Sequence, residues 1–490
     1  MEFFDLMEGI SYKGFSVGTE IREVVCDSRK VGPGVVFVAI RGAHSDGHDL
    51  AVDALEAGAA FVVLEKDMGL PLQIVVENTR QAYALMCANL CGRPAEKLRL
   101  IGVTGTNGKT TVTTIIWQML TAMGKKAGLI GTVGNQIGEI TLPARYTTPE
   151  ASALQVMLAR MVEAKCEYAV LEVSSHAMDQ HRLEGCHFET AVFTNLTQDH
   201  LDYHGTMEAY FEAKAKLFAV SDCAVVNIDD PYGQRLARTL EEQEKRVVSY
   251  GIEGAATYQG VEIQENLASV DFLLEKNGIK KPAHFGMPGR FSASNALAAV
   301  ATVTEEGASI DAAISALEKS AGVKGRAEVI SQGLDLPYTI IRDYAHSDDG
   351  LLKILETFRS FVKGRLIVVF GAPGERDMTK RPKMGNAVGQ YADYAIVTSD
   401  NPRSEDEMEI IRQVAKGFEG TGTAFELCAD RYEAIRKGMA MAQEGDLLLL
   451  AGKGHEEYQV LSYGTLAFDE KKIVQMIMEE GSGNVHAVES

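Results

Sequence analysis

An apolar run at residues 98–103 enters the glycine-rich turn GTNGKTT (105–111). Apolar residues then recur at helical spacing over 110–123 until Gly124, which reads as a helix C-terminal cap. Strand, turn and helix in that order aim backbone N–H groups and a helix N-terminus at one point, the geometry that cradles phosphate. Lys109 is placed to meet terminal phosphates and Thr110 to hold magnesium, while Gly105, Thr106, Asn107, Gly108 and Thr111 complete the loop. The spacing is GxxGKT rather than GxxxxGK[ST], because Val103 stands where the longer pattern needs glycine. A glycine turn beside an exposed lysine is the bland alternative, and the ordered strand, turn, Lys-Thr-Thr and helix argue against it. Hydrolases, kinases and ligases all stabilise phosphoryl transfer with such a loop, so its neighbours must decide.

With 490 residues the chain exceeds one ordinary core and suggests about three domains. Short apolar runs at 35–40, 60–64 and 73–76 alternate with Gly- and Asp-rich turns, which reads as a small α/β domain over 1–97. Runs at 168–173, 191–194 and 224–227, separated by helical stretches, predict a mostly parallel sheet around the phosphate loop within 98–328. A third series at 338–341, 366–370, 394–398 and 447–450 predicts a Rossmann-like, doubly wound domain over 329–490. The polar, Gly-containing stretch 323–326 follows a helix at 310–319 and marks the boundary and a candidate hinge. A polar tail after about Glu480 is expected to fray.

The formal charge of −20 argues against nucleic acid as the main partner, since such affinity is built from Lys and Arg on phosphates. Seven cysteines without a CxxC pair do not form a disulfide framework and fit a reducing compartment. The acidic N-terminus (Glu2, Asp5, Glu8) lacks signal-peptide character, and no apolar run reaches membrane-spanning length, so a cytoplasmic location is expected.

Polar residues gather where the predicted central strands end. Glu172, Ser174, His176, Gln180 and Arg182 follow one, and the segment from Asn195 to His204 follows the next. In a doubly wound sheet that edge binds ligands, so both segments can face the loop. Taken singly, each histidine or glutamate here is as readily an ordinary loop residue, and Lys214 reads as a solvated helix lysine beside Lys216.

The ordered motifs DSR (27–29), GTNGKTT, TTP (147–149), LEVSSHA (171–177), DHLDYHG (199–205), YFEAK (210–214), GRFSASN (289–295), DYAH (343–346), KRP (380–382), DNPR (400–403) and GKGHE (452–456) resemble the Mur ligase family over almost the whole chain. Within it the chain looks like the members that build a UDP-N-acetylmuramoyl tripeptide for peptidoglycan. The resemblance implies a monomeric ligase in which ATP phosphorylates the terminal carboxylate of UDP-N-acetylmuramoyl-L-alanyl-D-glutamate, and an amine then displaces phosphate. It assigns Lys109 and Thr110 to ATP and magnesium, and Glu172 and His200 to a second magnesium. It makes Lys214 an N6-carboxylysine: a lysine ammonium cannot ligate a cation, but its carbamate can. Asn295, Arg326, Asp343 and His346 become nucleotide contacts, and Ser28, Thr147, Thr148, Ser174, Gln180 and Arg182 contacts to the UDP-muramoyl peptide.

The resemblance places the incoming amino acid at Arg376, Asp400, Asn401, Arg403, Gly452 and Glu456. An arginine at 403 goes with meso-diaminopimelate, because its planar fork pairs with the second carboxylate that lysine lacks. Against this, GERDMTK (374–380) and DYAHSDDG (343–350) look nearer to the lysine-adding branch, and Ser347-Asp348 stand where many members have Thr-Pro. The expectation follows Arg403, with L-lysine as the alternative. A folate or polyglutamate ligase is disfavoured by TTPE and LEVSSHAMDQHR. A nucleotide-hydrolysing switch would not need the 400–403 site.

Overall fold

The computed structural model describes residues 1–14, 18, 20–42 and 45–481; the tail expected to fray lies largely outside them. The chain divides into two compact units, the first formed by Met1–Gln259, Leu274–Lys280 and Ser294–Lys319, the second by Gly260–Leu273, Lys281–Ala293 and Ser320–Ser490.

The first unit carries two sheets. In the N-terminal one the order is Tyr12–Gly14, Gln73–Val76, Phe61–Leu64, Val35–Val38, Glu23–Val25, parallel except for the first strand. Its helix Thr79–Leu90 starts at Asn78, whose side chain accepts from Gln81 N. Ala151, the first residue of helix Ala151–Glu163, is buried in the same apolar cluster as Val36, Phe61 and Tyr83, which ties this sheet to the next.

The central parallel strands run in the order Arg246–Gly251, Ser221–Asn227, Phe188–Phe193, Arg99–Thr104, Tyr168–Glu172, Ala127–Gly131. Their interior strands are almost continuously apolar because helices cover both faces. The predicted strands at 168–173, 191–194 and 224–227 are present, the latter two beginning three residues earlier. Sequence reading omitted Ala127–Gly131. Its five residues lie close to Gly124 and Gly134 and read as part of a turn, yet it pairs in parallel with Tyr168–Glu172. Glu172 stands in register with Val103, so both strands end at the edge where the phosphate loop begins.

The second unit holds the sheet Glu328–Val329, Thr339–Asp343, Leu447–Ala451, Leu366–Phe370, Tyr394–Thr398, Ala424–Cys428, parallel after its first strand. Asp343 pairs with Ala451, which aligns the carboxyl ends that launch the loops at 344 and 452. Ser347, the departure from Thr-Pro, caps helix Asp348–Arg359: its side chain accepts from Gly350 N, and Asp348 and Asp349 complement the helix N-terminus. The Ser-Asp-Asp run is therefore accounted for as a helix start.

Candidate active site

The phosphate loop leaves strand Arg99–Thr104 through Gly105, whose φ of 148° and tight approach to Thr194 Oγ1 admit no side chain. Asn195 clamps the loop. Its carbonyl accepts from Thr106 N (2.8 Å), its Oδ1 from Asn107 N (2.9 Å), and its Nδ2 donates to Asn107 O (3.1 Å). Two of the N–H groups expected to cradle phosphate are thus engaged by protein, which moves the cradle toward 108–111, the first turn of helix Lys109–Ala122. Asn295 closes on Gly108, its Oδ1 lying 2.7 Å from where a Cβ would stand.

Lys109 Nζ donates to the carbonyls of Gly105 (2.8 Å) and Thr106 (2.9 Å). Lys214, far from solvated, is buried in helix Met207–Ala219, donates to the same Gly105 carbonyl at 2.7 Å, and lies 4.5 Å from the Tyr210 ring centroid. Burial, with the Lys109 ammonium beside it, holds its amine well below the ordinary lysine range.

Glu172 is buried and well supplied with donors. Oε1 accepts from Thr132 N at 2.7 Å; Oε2 accepts from Thr110 Oγ1 at 2.9 Å and lies 3.1 Å from Thr132 Oγ1. Gly131 makes room for it, since a Cβ there would collide with Oε1. Thr148 Oγ1 donates to the Glu172 carbonyl (2.7 Å) and accepts from Ser174 N (3.0 Å). Ser174 in turn caps helix Ser175–Asp179. Arg182 donates to Thr148 O (2.9 Å) and to Gln180 Oε1 (2.8 Å). Thr147, Thr148, Ser174, Gln180 and Arg182 therefore gather beside Glu172. Ser28 starts a 3-10 turn capped by Asp27, and no hydrogen bond, ion pair or ring contact among the described residues joins it to this group.

His200 adopts φ 53°, and its ring centroid is 5.0 Å from that of His176 and 6.0 Å from that of Tyr210. Burial pushes its imidazole down to about 4, so it is neutral at pH 7, the form that ligates metals. His204 completes an aromatic cluster, accepting or donating at Ser175 Oγ (2.9 Å) and stacked 5.1 Å from Tyr210. Among the described residues no three His, Cys, Asp or Glu side chains meet closely enough to hold a cation by themselves. Magnesium keeps several waters and leans on substrate phosphates beside one or two carboxylates. The paired Thr110 hydroxyl and Glu172 carboxylate supply the donor chemistry it takes.

The second unit gathers a different group. Asp343 is buried and accepts from Ala327 N (2.6 Å) and Ala345 N (2.7 Å), and burial raises its carboxyl above the ordinary range. Arg326 lies over the Tyr344 ring at 4.7 Å, and His346 Nδ1 is 2.7 Å from Tyr344 O. Asn401 joins two loops: Nδ2 donates to Glu456 Oε2 (2.8 Å), and Oδ1 accepts from Val460 N (2.9 Å) and the buried Lys453 Nζ (3.2 Å). Gly452 leaves space for Asp400, whose Oδ2 lies 2.6 Å from where a Cβ would stand. The Gly374 amide donates to Asn401 O (2.9 Å), bringing the loop of the exposed Arg376 to the same place. Arg403 is half-buried with φ 58°, and its amide donates to Val460 O. Among the described residues, Asp400 Oδ2 and Arg403 Nε are buried without a hydrogen-bond partner.

Sequence reasoning did not assign Gly131, Thr132, Asn195, Tyr210 or Lys453. Tyr210 and Lys453 stood inside quoted motifs and Asn195 opened the polar segment that follows its strand; Thr132 had no signal once the strand Ala127–Gly131 before it was overlooked.

The phosphate-loop sheet edge of the first unit and the polar group at the sheet edge of the second are each the kind of edge at which parallel α/β sheets bind ligands. Family models match the chain: Mur ligase middle domain over 103–303, Mur ligase, glutamate ligase domain over 325–454, and Mur ligase family, catalytic domain over 20–86. The chain is 42% identical over 467 residues to UDP-N-acetylmuramoyl-L-alanyl-D-glutamate--2,6-diaminopimelate ligase 1 of Clostridium acetobutylicum, covering 95% of this chain and 96% of that one. It is 41% identical over 487 residues to the 2,6-diaminopimelate ligase of Caldanaerobacter subterraneus subsp. tengcongensis, covering 98% and 99%. A solved UDP-N-acetylmuramoyl-L-alanyl-D-glutamate--2,6-diaminopimelate ligase superposes with TM-score 0.73 at 32% identity, over 99% of this chain and 100% of that one. The chain belongs to the Mur ligase family of ATP-dependent ligases and has its three-domain α/β fold. Among the described residues no helix is long and apolar enough to cross a membrane.

Proposed function

We propose that this ligase adds meso-diaminopimelate to UDP-N-acetylmuramoyl-L-alanyl-D-glutamate, with residues 1–97 serving the UDP end, 98–328 ATP and 329–490 the amino acid. The observation that carries the amino-acid assignment is that, among the described residues, Arg403 Nε and Asp400 Oδ2 are both buried without a hydrogen-bond partner. One is cationic and one anionic when ionised, as a ligand carrying both an ammonium and an extra carboxylate requires. With L-lysine bound, the buried Arg403 Nε would lack a carboxylate to donate to, and a buried donor left unsatisfied costs about 1–3 kcal/mol.

The terminal carboxylate of the dipeptide attacks the γ-phosphorus of ATP, ADP leaves, and an acyl phosphate forms. Lys109 and the first turn of its helix hold the phosphates in line and stabilise charge on the equatorial oxygens. The amine then attacks the acyl carbon, inorganic phosphate leaves, and the attacking nitrogen gives up one proton to solvent or base, leaving the amide N–H. Thr110, Glu172, His200 and Lys214 as its carbamate would hold magnesium, which would offset the repulsion between the two reacting anions. Thr147, Thr148, Ser174, Gln180 and Arg182 bind the muramoyl peptide, with Ser28 at the uridine end. Asn295, Arg326, Asp343 and His346 contact the nucleotide, and Arg376, Asn401, Gly452 and Glu456 complete the amino-acid site. The burial of Lys214 supports its carbamylation: burial and the neighbouring Lys109 charge disfavour the ammonium, so more of the amine carries the lone pair that attacks carbon dioxide, and loss of a proton then gives an anion.

The test is oxygen transfer. With the dipeptide labelled by ¹⁸O in its carboxyl groups, the acyl-phosphate route delivers one label into the released phosphate. Unlabelled phosphate beside normal tripeptide formation would overturn this route.

A further inference from the structure

Thr132 stands between groups assigned to different substrates. Its amide donates to Glu172 Oε1 at 2.7 Å, and its hydroxyl lies 3.1 Å from Glu172 Oε2 and 3.1 Å from Thr147 Oγ1. A hydroxyl has one hydrogen to give, and a carboxylate only accepts. The Thr132 hydrogen therefore goes to Glu172, and Thr147 donates to Thr132 Oγ1. Donors thus run in sequence from Thr147 through Thr132 to Glu172. The same Oε2 also takes the Thr110 hydroxyl from the phosphate-loop helix at 2.9 Å. A neighbouring connection reaches the Glu172 backbone through Thr148 Oγ1 (2.7 Å).

We infer that Thr132 is a positioning residue that couples binding of the UDP-muramoyl dipeptide at Thr147 to the readiness of Glu172 for a magnesium nucleotide. The inference rests on the proposed role of Thr147. A chained hydroxyl donates more strongly when it is itself hydrogen-bonded as an acceptor. An anionic substrate oxygen that takes the Thr147 hydrogen removes that support, so Thr132 releases Glu172 Oε2 in part and the carboxylate becomes the better ligand. By linkage the coupling acts equally in both directions.

Calorimetry on the full chain tests this, using the magnesium complex of a non-hydrolysable ATP analogue with and without saturating UDP-muramoyl dipeptide. In the unchanged chain the dipeptide tightens analogue binding by about fivefold or more, within the usual span of such couplings. Thr132→Val brings the ratio to about one, and Thr132→Ser, which keeps the hydroxyl, restores it. Equal coupling in the valine variant, or none in an unchanged chain that still forms tripeptide, overturns the inference and leaves the ligase reading intact. An unchanged chain that forms no tripeptide fails that reading instead. Should Thr132→Val not fold, Thr147→Val at saturating dipeptide must abolish the coupling and Thr147→Ser retain it, or the inference falls.

Discussion

At the phosphate-loop edge Glu172 accepts from Thr110 and the Thr132 amide and lies within reach of the Thr132 hydroxyl, and Lys109 and Lys214 both donate to the Gly105 carbonyl. At the other edge, among the described residues, Asp400 Oδ2 and Arg403 Nε are buried with no hydrogen-bond partner, although Asn401 between them is satisfied by Glu456, Val460 and Lys453. Buried polar atoms left unpaired are expensive, and a bound ligand is one way to complete them. The hydrogen bonds of Glu172, Lys109 and Lys214 hold the first region together without a ligand. On the proposed function, the second region would take its selectivity from the ligand that completes Arg403 and Asp400.

The largest effect expected from that contrast is at Lys214. Lys214→Ala lowers tripeptide formation by about 10²-fold or more, since on the proposed carbamylation it removes an anion from the charge-stabilising centre. Short carboxylic acids such as formate or acetate restore part of it by standing in for the carbamate. Full activity in the alanine variant, measured by product mass, would break the account of this region.

Next comes Arg403→Lys, which exchanges a bidentate fork for a point charge. The preference for meso-diaminopimelate over L-lysine, read as the ratio of kcat/KM values, falls by about 10²-fold, with the KM for ATP little changed. An unchanged ratio would mean that the second edge does not select through this side chain.

The smallest effect is on stability. Burial, reinforced by the Arg326 charge, pushes the His455 imidazole down to about 4. An unfolded histidine titrates near 6.5, so between these values the unfolded chain binds more protons. The contribution of neutral His455 is full above about 6.5 and is lost as pH falls toward 4. His455→Gln should therefore flatten the drop in unfolding free energy between pH 6.5 and 4.5 by up to about 2 kcal/mol, seen in denaturant titrations. An unaltered slope would place His455 in solvent.

The two regions were also unequally legible in sequence. GTNGKTT announces itself because strand, glycines, lysine and helix follow one another without interruption. The strands at 366–370 and 394–398 fall where apolar runs place them, because both faces of a parallel strand are covered. Thr132 was invisible: its strand is five residues long, flanked by glycines, and its importance comes from a glutamate 40 positions away. Lys214 is the converse case, a helix lysine whose spacing says solvent and whose neighbours put it in the interior. Ser347-Asp348, which depart from the Thr-Pro of many members, begin the helix Asp348–Arg359, with Ser347 as its cap. Local pattern reveals elements, whereas the partners of a buried polar group come from chain distant in sequence.

The central claim is the identity of the added residue, and the most direct measurement is a one-pot competition. The unchanged chain, ATP, magnesium and UDP-N-acetylmuramoyl-L-alanyl-D-glutamate are incubated with equimolar meso-diaminopimelate and L-lysine, and products are resolved by mass. Tripeptide carrying diaminopimelate in at least about 100-fold excess is the predicted result. Predominance of the lysine product would contradict the selector role of Arg403 while leaving the ligase in place.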